Sequence, residues 1–252
     1  MLSIEYLPFI FFIIALFYSS VGFGGGSSYL AILSLFLTDF YEIRSTALIL
    51  NVCVVTIGTI IFIRNKVFDL KLFWPFLVSS IPLAYFGAQV KLSEEAFFLI
   101  LGSALILSGV AMMLRYINAK LQSHEFSLIK KLGLGGSVGL LAGVSGIGGG
   151  IFLSPTLNLL NWANPRTVAA LASVFILVNS ISGLVGLGVA DTFQIDASLL
   201  WKLILAVVIG GGVGSYLSSK KLNLRILGGL TAILVIYVGL RLVLMHGYGI
   251  NI

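Results

Sequence analysis

Uninterrupted apolar runs about as long as a lipid bilayer is thick govern what this chain can become. Leu72 to Val90 and Ala96 to Leu114 contain no charged residue. A helix of about 20 apolar residues matches the roughly 30 Å hydrocarbon layer. Backbone polar groups in that layer must pair internally, so such runs become helices. Of the 252 residues, 59% are hydrophobic and 10% charged, with a mean hydropathy of +1.12; a soluble domain carries roughly 25% charge. The expected fold class is an all-α polytopic membrane protein. The net charge of +6 does not imply a nucleic-acid partner, because the cations sit at the ends of apolar runs, where they flank membrane spans. Cys53 is the single cysteine; it excludes an internal disulfide and reads as a buried, inert thiol. The N-terminus carries Glu5 rather than a basic region and no small-residue cleavage site, so the first apolar stretch reads as a retained span.

The apolar segments run over approximately 5–20, 28–38, 45–63, 72–90, 96–114, 132–146, 151–161, 167–187, 200–218 and 226–244. The two short ones, 28–38 and 151–161, each follow a glycine cluster: Gly22-Phe23-Gly24-Gly25-Gly26 and Gly146-Ile147-Gly148-Gly149-Gly150. Downstream, Arg44 pairs with Arg166, Trp74 with Trp201, Gly87 with Gly214, Gly102 with Gly228 and Arg115 with Arg241. A repeat of this length predicts two membrane units, residues 1–120 and 121–252. Short, Gly-interrupted segments in corresponding halves point to a transporter binding site.

Residues 5–38 as one helix would reach about 50 Å, too long for a single crossing. A hairpin turning at the glycines is the alternative, and the positive-inside rule separates the two. With hairpins, eleven Lys and Arg residues fall on one side and four on the other; with single crossings the split is nine to six. The hairpin reading places both termini outside and the 115–131 loop in the cytoplasm. Each half is then a re-entrant or short helical hairpin plus three transmembrane helices, and the odd number of spans inverts the second half relative to the first.

Glycines at a hairpin tip permit positive φ and leave backbone N–H groups uncovered. Helices beginning near Ser27 and Ile151 would put two N-termini at mid-depth, each with unpaired N–H groups and partial positive charge. That is an anion site built without a buried lysine or arginine. The substrate-binding candidates are therefore Gly24, Gly25, Gly26, Ser27, Ser28, Gly148, Gly149, Gly150, Ser145 and Ser154, with Thr156 offering a further hydroxyl. Asn51, Ser173 and Asn179 are polar side chains inside apolar runs; Asn51 and Asn179 join the substrate-binding set, with interhelical hydrogen bonding as the plainer role. Arg44 and Arg166 read as interfacial anchors of the hairpin ends, with anion attraction as the sharper alternative. Trp74 and Trp201 read as belt residues, and Pro155, facing Ala31 in the repeat, as a shaper of one helix.

Catalysis is not expected. Gly143-Val144-Ser145-Gly146 resembles a G-x-S-G serine motif, but the only histidines, His124 and His246, stand in a polar loop and near the C-terminal end, and such a serine needs a base within reach. No Cys/His/Asp/Glu grouping suggests a metal, and no cofactor is implied. No Asp, Glu, Lys, Arg or His falls in the middle of a span, so coupling would use the anion's own protonation or interfacial groups such as Asp39, Glu42 or Asp69.

The paired glycine motifs, with Ser154-Pro155 after the second and Arg44 and Arg166 downstream, resemble the TauE/SafE family of sulfite exporters. The resemblance covers nearly the whole chain, although Ala31 stands where the first motif would carry the proline. It implies a secondary transporter of a small sulfur-containing or organic anion in the prokaryotic inner membrane, and a binding role for Gly24 to Gly26 and Gly148 to Gly150. The partners expected are that anion and the lipid bilayer; the sequence is compatible with a homo-oligomer and does not require one. A passive anion channel and a membrane assembly protein without flux are the rival readings.

Overall fold

The computed structural model describes residues 4–20, 23–37, 39–91, 93–117, 126–160, 162–219 and 224–248. Gly22, Lys120, His124, Lys220 and Lys221 lie outside them. Among the described residues there are ten α-helices and no strand. They are α1 (Leu7–Ser20), α2 (Gly26–Leu33), α3 (Phe40–Arg64), α4 (Leu70–Gln89), α5 (Glu94–Ile117), α6 (Leu128–Ser145), α7 (Gly150–Leu159), α8 (Pro165–Val189), α9 (Ala197–Ser219) and α10 (Leu224–Tyr248). Five of them, α3, α4, α6, α8 and α9, are long and apolar enough to cross a membrane. α6 is in this set although the sequence reading takes it as a hairpin arm, because at 18 residues it is longer than α1 at 14. Large apolar side chains face outward along the bundle, including Trp74, Leu107 and Trp201, as expected of a surface solvated by lipid.

Eight of the helix starts fall into two kinds. Asp39 caps α3 by accepting from the amides of Tyr41 (2.8 Å) and Glu42 (3.1 Å). Asp69 caps α4, Ser93 α5, Ser127 α6, Asn164 α8 and Asp196 α9 in the same way. Such side chains satisfy the first-turn N–H groups that have no intrahelical acceptor. By contrast, α2 and α7 begin at Gly25 and Gly149 with no side-chain cap. Both glycines are left-handed, with φ of +89° and +83°, a conformation that costs an L-residue about 1–2 kcal/mol.

Glycine contacts give the helix directions. On α6, Gly135, Gly139 and Gly143 lie in turn against Phe76, Ser80 and Ala84 of α4, so these helices run parallel. On α9, Gly210 and Gly214 lie against the carbonyls of Phe12 and Leu16 of α1, again parallel. α9 also runs parallel to α3, through Gly211 against Val54 and Ser215 against Gly58. α8 runs parallel to α4, through the Ser182 hydroxyl donating to the Ile81 carbonyl (2.6 Å) and Gly186 against Tyr85. α1 therefore points the same way as α3, and α6 the same way as α8. For α3 to start at the end from which α1 starts, α2 must carry the chain back, and α7 must do so in the second half. The return is visible in the Phe11–Tyr29 ring stack, with centroids 4.9 Å apart, and in the Tyr18–Ser28 hydroxyl pair at 2.7 Å.

The central pair, α3 and α8, is antiparallel: Gly58 meets Ser173, Leu48 meets Gly183, and the Gln194 amide donates to the Ser45 hydroxyl (3.2 Å). α5 and α10 are antiparallel as well, with Gly102 against Gly239 and Gly109 against Ile236. Exchanging the first five helices for the last five maps these packings onto one another. α1 on α9 becomes α6 on α4, and Gly214 on Leu16 corresponds to Gly87 on Leu140. Small residues at these seams let backbones approach closely, which is how helices associate in lipid.

Candidate functional site

The two glycine tips meet in the middle of the bundle. Tyr18, Phe23, Gly24, Gly25, Gly26 and Ser27 from the first, Ile147 and Ile151 from the second, and Ile176 from α8 line a small cavity. It offers about 10 Å³ to the centre of a water-sized sphere, at most the space of one water. The first tip supplies its polar wall, which holds the uncapped start of α2, and the isoleucines supply the apolar one.

Asn51 of α3 joins the tips. Its Nδ2 donates to the Ile147 carbonyl (2.9 Å). The same amide packs on Gly24 and Gly26, where any Cβ would collide with it. Its Oδ1 is buried without a hydrogen-bond partner. Tyr18 and Tyr29 were not legible as site residues. Tyr18 lines the cavity and shares its hydroxyl with Ser28. Tyr29 is fully buried, its hydroxyl has no partner, and its ring end sits where a Cβ on Gly25 would fall, 2.8 Å away. A tyrosine inside an apolar run three or four residues from a glycine cluster is the available signal.

The remaining candidates stand apart from the cavity. Gly148 and Gly150 pack on Ile176 and Gly149 on Phe175 and Ala142. The Ser145 hydroxyl donates to Leu141, and that of Thr156 to Phe152, each on its own helix. Ser154 accepts from Asn158 (3.2 Å). Asn179 donates to the Phe175 carbonyl of its own helix (2.8 Å), and its Oδ1 is unpartnered. Gly58 places Ser173 beside Ser215, away from the tips.

The arginines depart from the sequence reading. Arg44 is not an interfacial anchor: it is 2% exposed, and its Nη2 donates to the Gly143 carbonyl at the end of α6. Arg166 is exposed. The two are not equivalent, because Arg44 is the fifth residue after the cap Asp39 and Arg166 the second after the cap Asn164. The counterpart of Arg44 is Ala169, and that of Asn51 is Ile176, which touches Gly148 and Gly150 as Asn51 touches Gly24 and Gly26. Among the described residues no His/Cys/Asp/Glu group could hold a metal ion.

Residues 7–242 match the family described as Sulfite exporter TauE/SafE. The chain is similar to the "Probable membrane transporter protein y4hK" of Sinorhizobium fredii, 32% identical over 243 residues that cover 94% of this chain and 96% of that one. It is also similar to a "Probable membrane transporter protein" of Haemophilus influenzae, 26% identical over 218 residues, 81% of this chain and 80% of that one. No solved structure matches it.

Proposed function

The chain belongs to the TauE/SafE sulfite exporter family and is a multi-pass membrane transporter rather than an enzyme, and from that membership we propose that it carries a small sulfur oxyanion or sulfonate across the prokaryotic cytoplasmic membrane. The anion binds between the two glycine tips, on the uncapped N–H groups at the start of α2 and the hydroxyls of Tyr18 and Ser27. Residues 1–120 and 121–252 act as inverted repeats, each a re-entrant hairpin plus three spans. The parallel course of α1 with α3, and of α6 with α8, supports the hairpins; the antiparallel α3–α8 pair supports the inversion. The charge distribution supports an orientation with both termini outside.

The observation that carries the proposal is the contrast in helix starts. Six helices have side-chain caps, and the two that begin at the meeting point of the tips have none. Unpaired N–H groups at a helix start, in a site of low dielectric, favour an anion. The cavity at that site has room for about one water, so an oxyanion fits there only when the tips part. This favours alternating access over a standing channel. Protein reconstituted in liposomes should show saturable flux of labelled sulfite and accumulate it uphill when an ion gradient is imposed. Flux that only dissipates gradients would identify a channel, and vesicles no leakier than empty ones would refute transport of this anion.

A further inference from the structure

Arg44 is the only charged side chain among the buried described residues. It stands seven residues before Asn51 on α3 and reaches the second tip from the end of the bundle where α3 begins. Its stem lies over Gly146, where a Cβ would stand 2.7 Å from Cγ and 3.3 Å from Nε. The next residue, Ile147, lines the cavity. One guanidinium nitrogen, Nη2, donates to the Gly143 carbonyl, while Nε is buried with no partner. Nε and Nη2 form the edge of a guanidinium that grips an oxyanion with two parallel N–H bonds. Here that edge is half used.

A cation near the last carbonyls of α6 is favourable in itself. Yet α6 is already closed by left-handed Gly146, whose amide donates to Ala142 (2.9 Å). The equivalent place on α8 is held by Ala169, so the fold does not require a cation there. A charge buried in a membrane bundle without a carboxylate marks a substrate path.

We propose that Arg44 is the counter-charge of the travelling anion. The anion, passing between the cavity and the end of the bundle where α3 begins, is taken on the Nε–Nη2 edge and displaces the Gly143 carbonyl. The site selects anions that present two oxygens on one atom, such as sulfite, sulfonates and carboxylates, over halides. This rests on the transport reading above.

The test compares wild type, Arg44→Lys and Arg44→Gln in liposomes, with labelled sulfite as substrate and chloride as competitor, together with sulfite-dependent thermal shifts of the purified proteins. Arg44→Gln should raise the KM for sulfite by about tenfold or more, the scale of one lost charge-assisted pair, and should lose the sulfite-dependent shift. Arg44→Lys, which keeps the charge but not the two-pronged edge, should retain part of the affinity and lose discrimination against chloride. If Arg44→Gln does not fold, Arg44→Lys decides. Unchanged KM, chloride discrimination and sulfite shift in a folded variant would leave the guanidinium as a helix-end cap and overturn the proposal. Wild-type protein that neither moves nor binds any oxyanion would overturn the transport reading itself.

Discussion

Asn51 and Ile147 are 96 residues apart in the chain and 2.9 Å apart in the bundle, the side-chain amide of one donating to the backbone carbonyl of the other. Because the same amide packs on Gly24 and Gly26, one side chain of α3 touches both tips.

Asn51→Ala removes that bond and leaves the Ile147 carbonyl unmatched. Interhelical hydrogen bonds in membrane bundles are worth about 0.6 kcal/mol on average and about 1.7 at most. Thermal unfolding in detergent should therefore shift down by a few degrees, while sulfite flux in liposomes should fall further than so small a loss of stability explains. Wild-type flux from Asn51→Ala would remove Asn51 from the site.

Gly25→Ala meets two separate obstacles. The left-handed φ of +89° costs about 1–2 kcal/mol, and the new methyl falls 2.8 Å from the Tyr29 ring end. Tyr29→Leu removes the second obstacle but not the first. Combined with it, Gly25→Ala should cost less than in the wild-type background and still about the backbone penalty, a coupling that a double-mutant cycle of unfolding free energies reads directly.

The seam between α4 and α6 should tolerate no added volume. A Cβ on Gly139 would stand 2.5 Å from the Ser80 Cα, whereas Gly133, six residues earlier on the same helix, has nothing within 4 Å. Gly139→Ala should destabilise by about 1–3 kcal/mol, the usual cost of overpacking. Gly133→Ala should be neutral or stabilise by up to about 1 kcal/mol through helix propensity. Equal melting temperatures for the two variants would contradict the parallel packing described above.

Tyr18→Phe deletes the hydroxyl that Ser28 shares at 2.7 Å and one polar group of the cavity wall. Stability should fall by about 0.5–1.5 kcal/mol, and the KM for sulfite should rise with kcat little changed. A fall in stability alone, read by thermal shift beside flux, would restrict Tyr18 to holding the hairpin together.

Arg166→Gln serves as the contrast to Arg44. Arg166 is exposed, so its replacement should change stability by no more than about 0.5 kcal/mol and leave the KM unaltered. A loss comparable to that of Arg44→Gln would restore the equivalence of the two arginines.

What the halves share could be read from the sequence, and what they do not share could not. The glycine clusters mark both breaks, and α2 and α7 start within one residue of the expected positions. The arginine match misled. Arg44 and Arg166 stand 122 residues apart, whereas Gly24 and Gly148 are 124 apart and the caps Asp39 and Asn164 are 125 apart. That small slip turns an interior position into an exposed one on a helix. Asn51 against Ile176, and Tyr18 against Ala142, are the polar positions where the halves diverge. A search for repetition passes over such places, and two of them, Tyr18 and Ile176, line the cavity. Of the two tips expected from the motifs, the first lines the cavity with its glycines and Ser27 and the second with Ile147 and Ile151, while the hydroxyls of Ser145 and Thr156 donate to carbonyls of their own helices.

The glycine seams join α1 to α9 and α6 to α4, so the first arm of each hairpin packs backbone to backbone on a helix from the other end of the chain. Cut apart between α5 and α6, the chain would lay bare the close backbone contacts of α1 and α4 on one piece and of α6 and α9 on the other, and each piece would need the other to cover them.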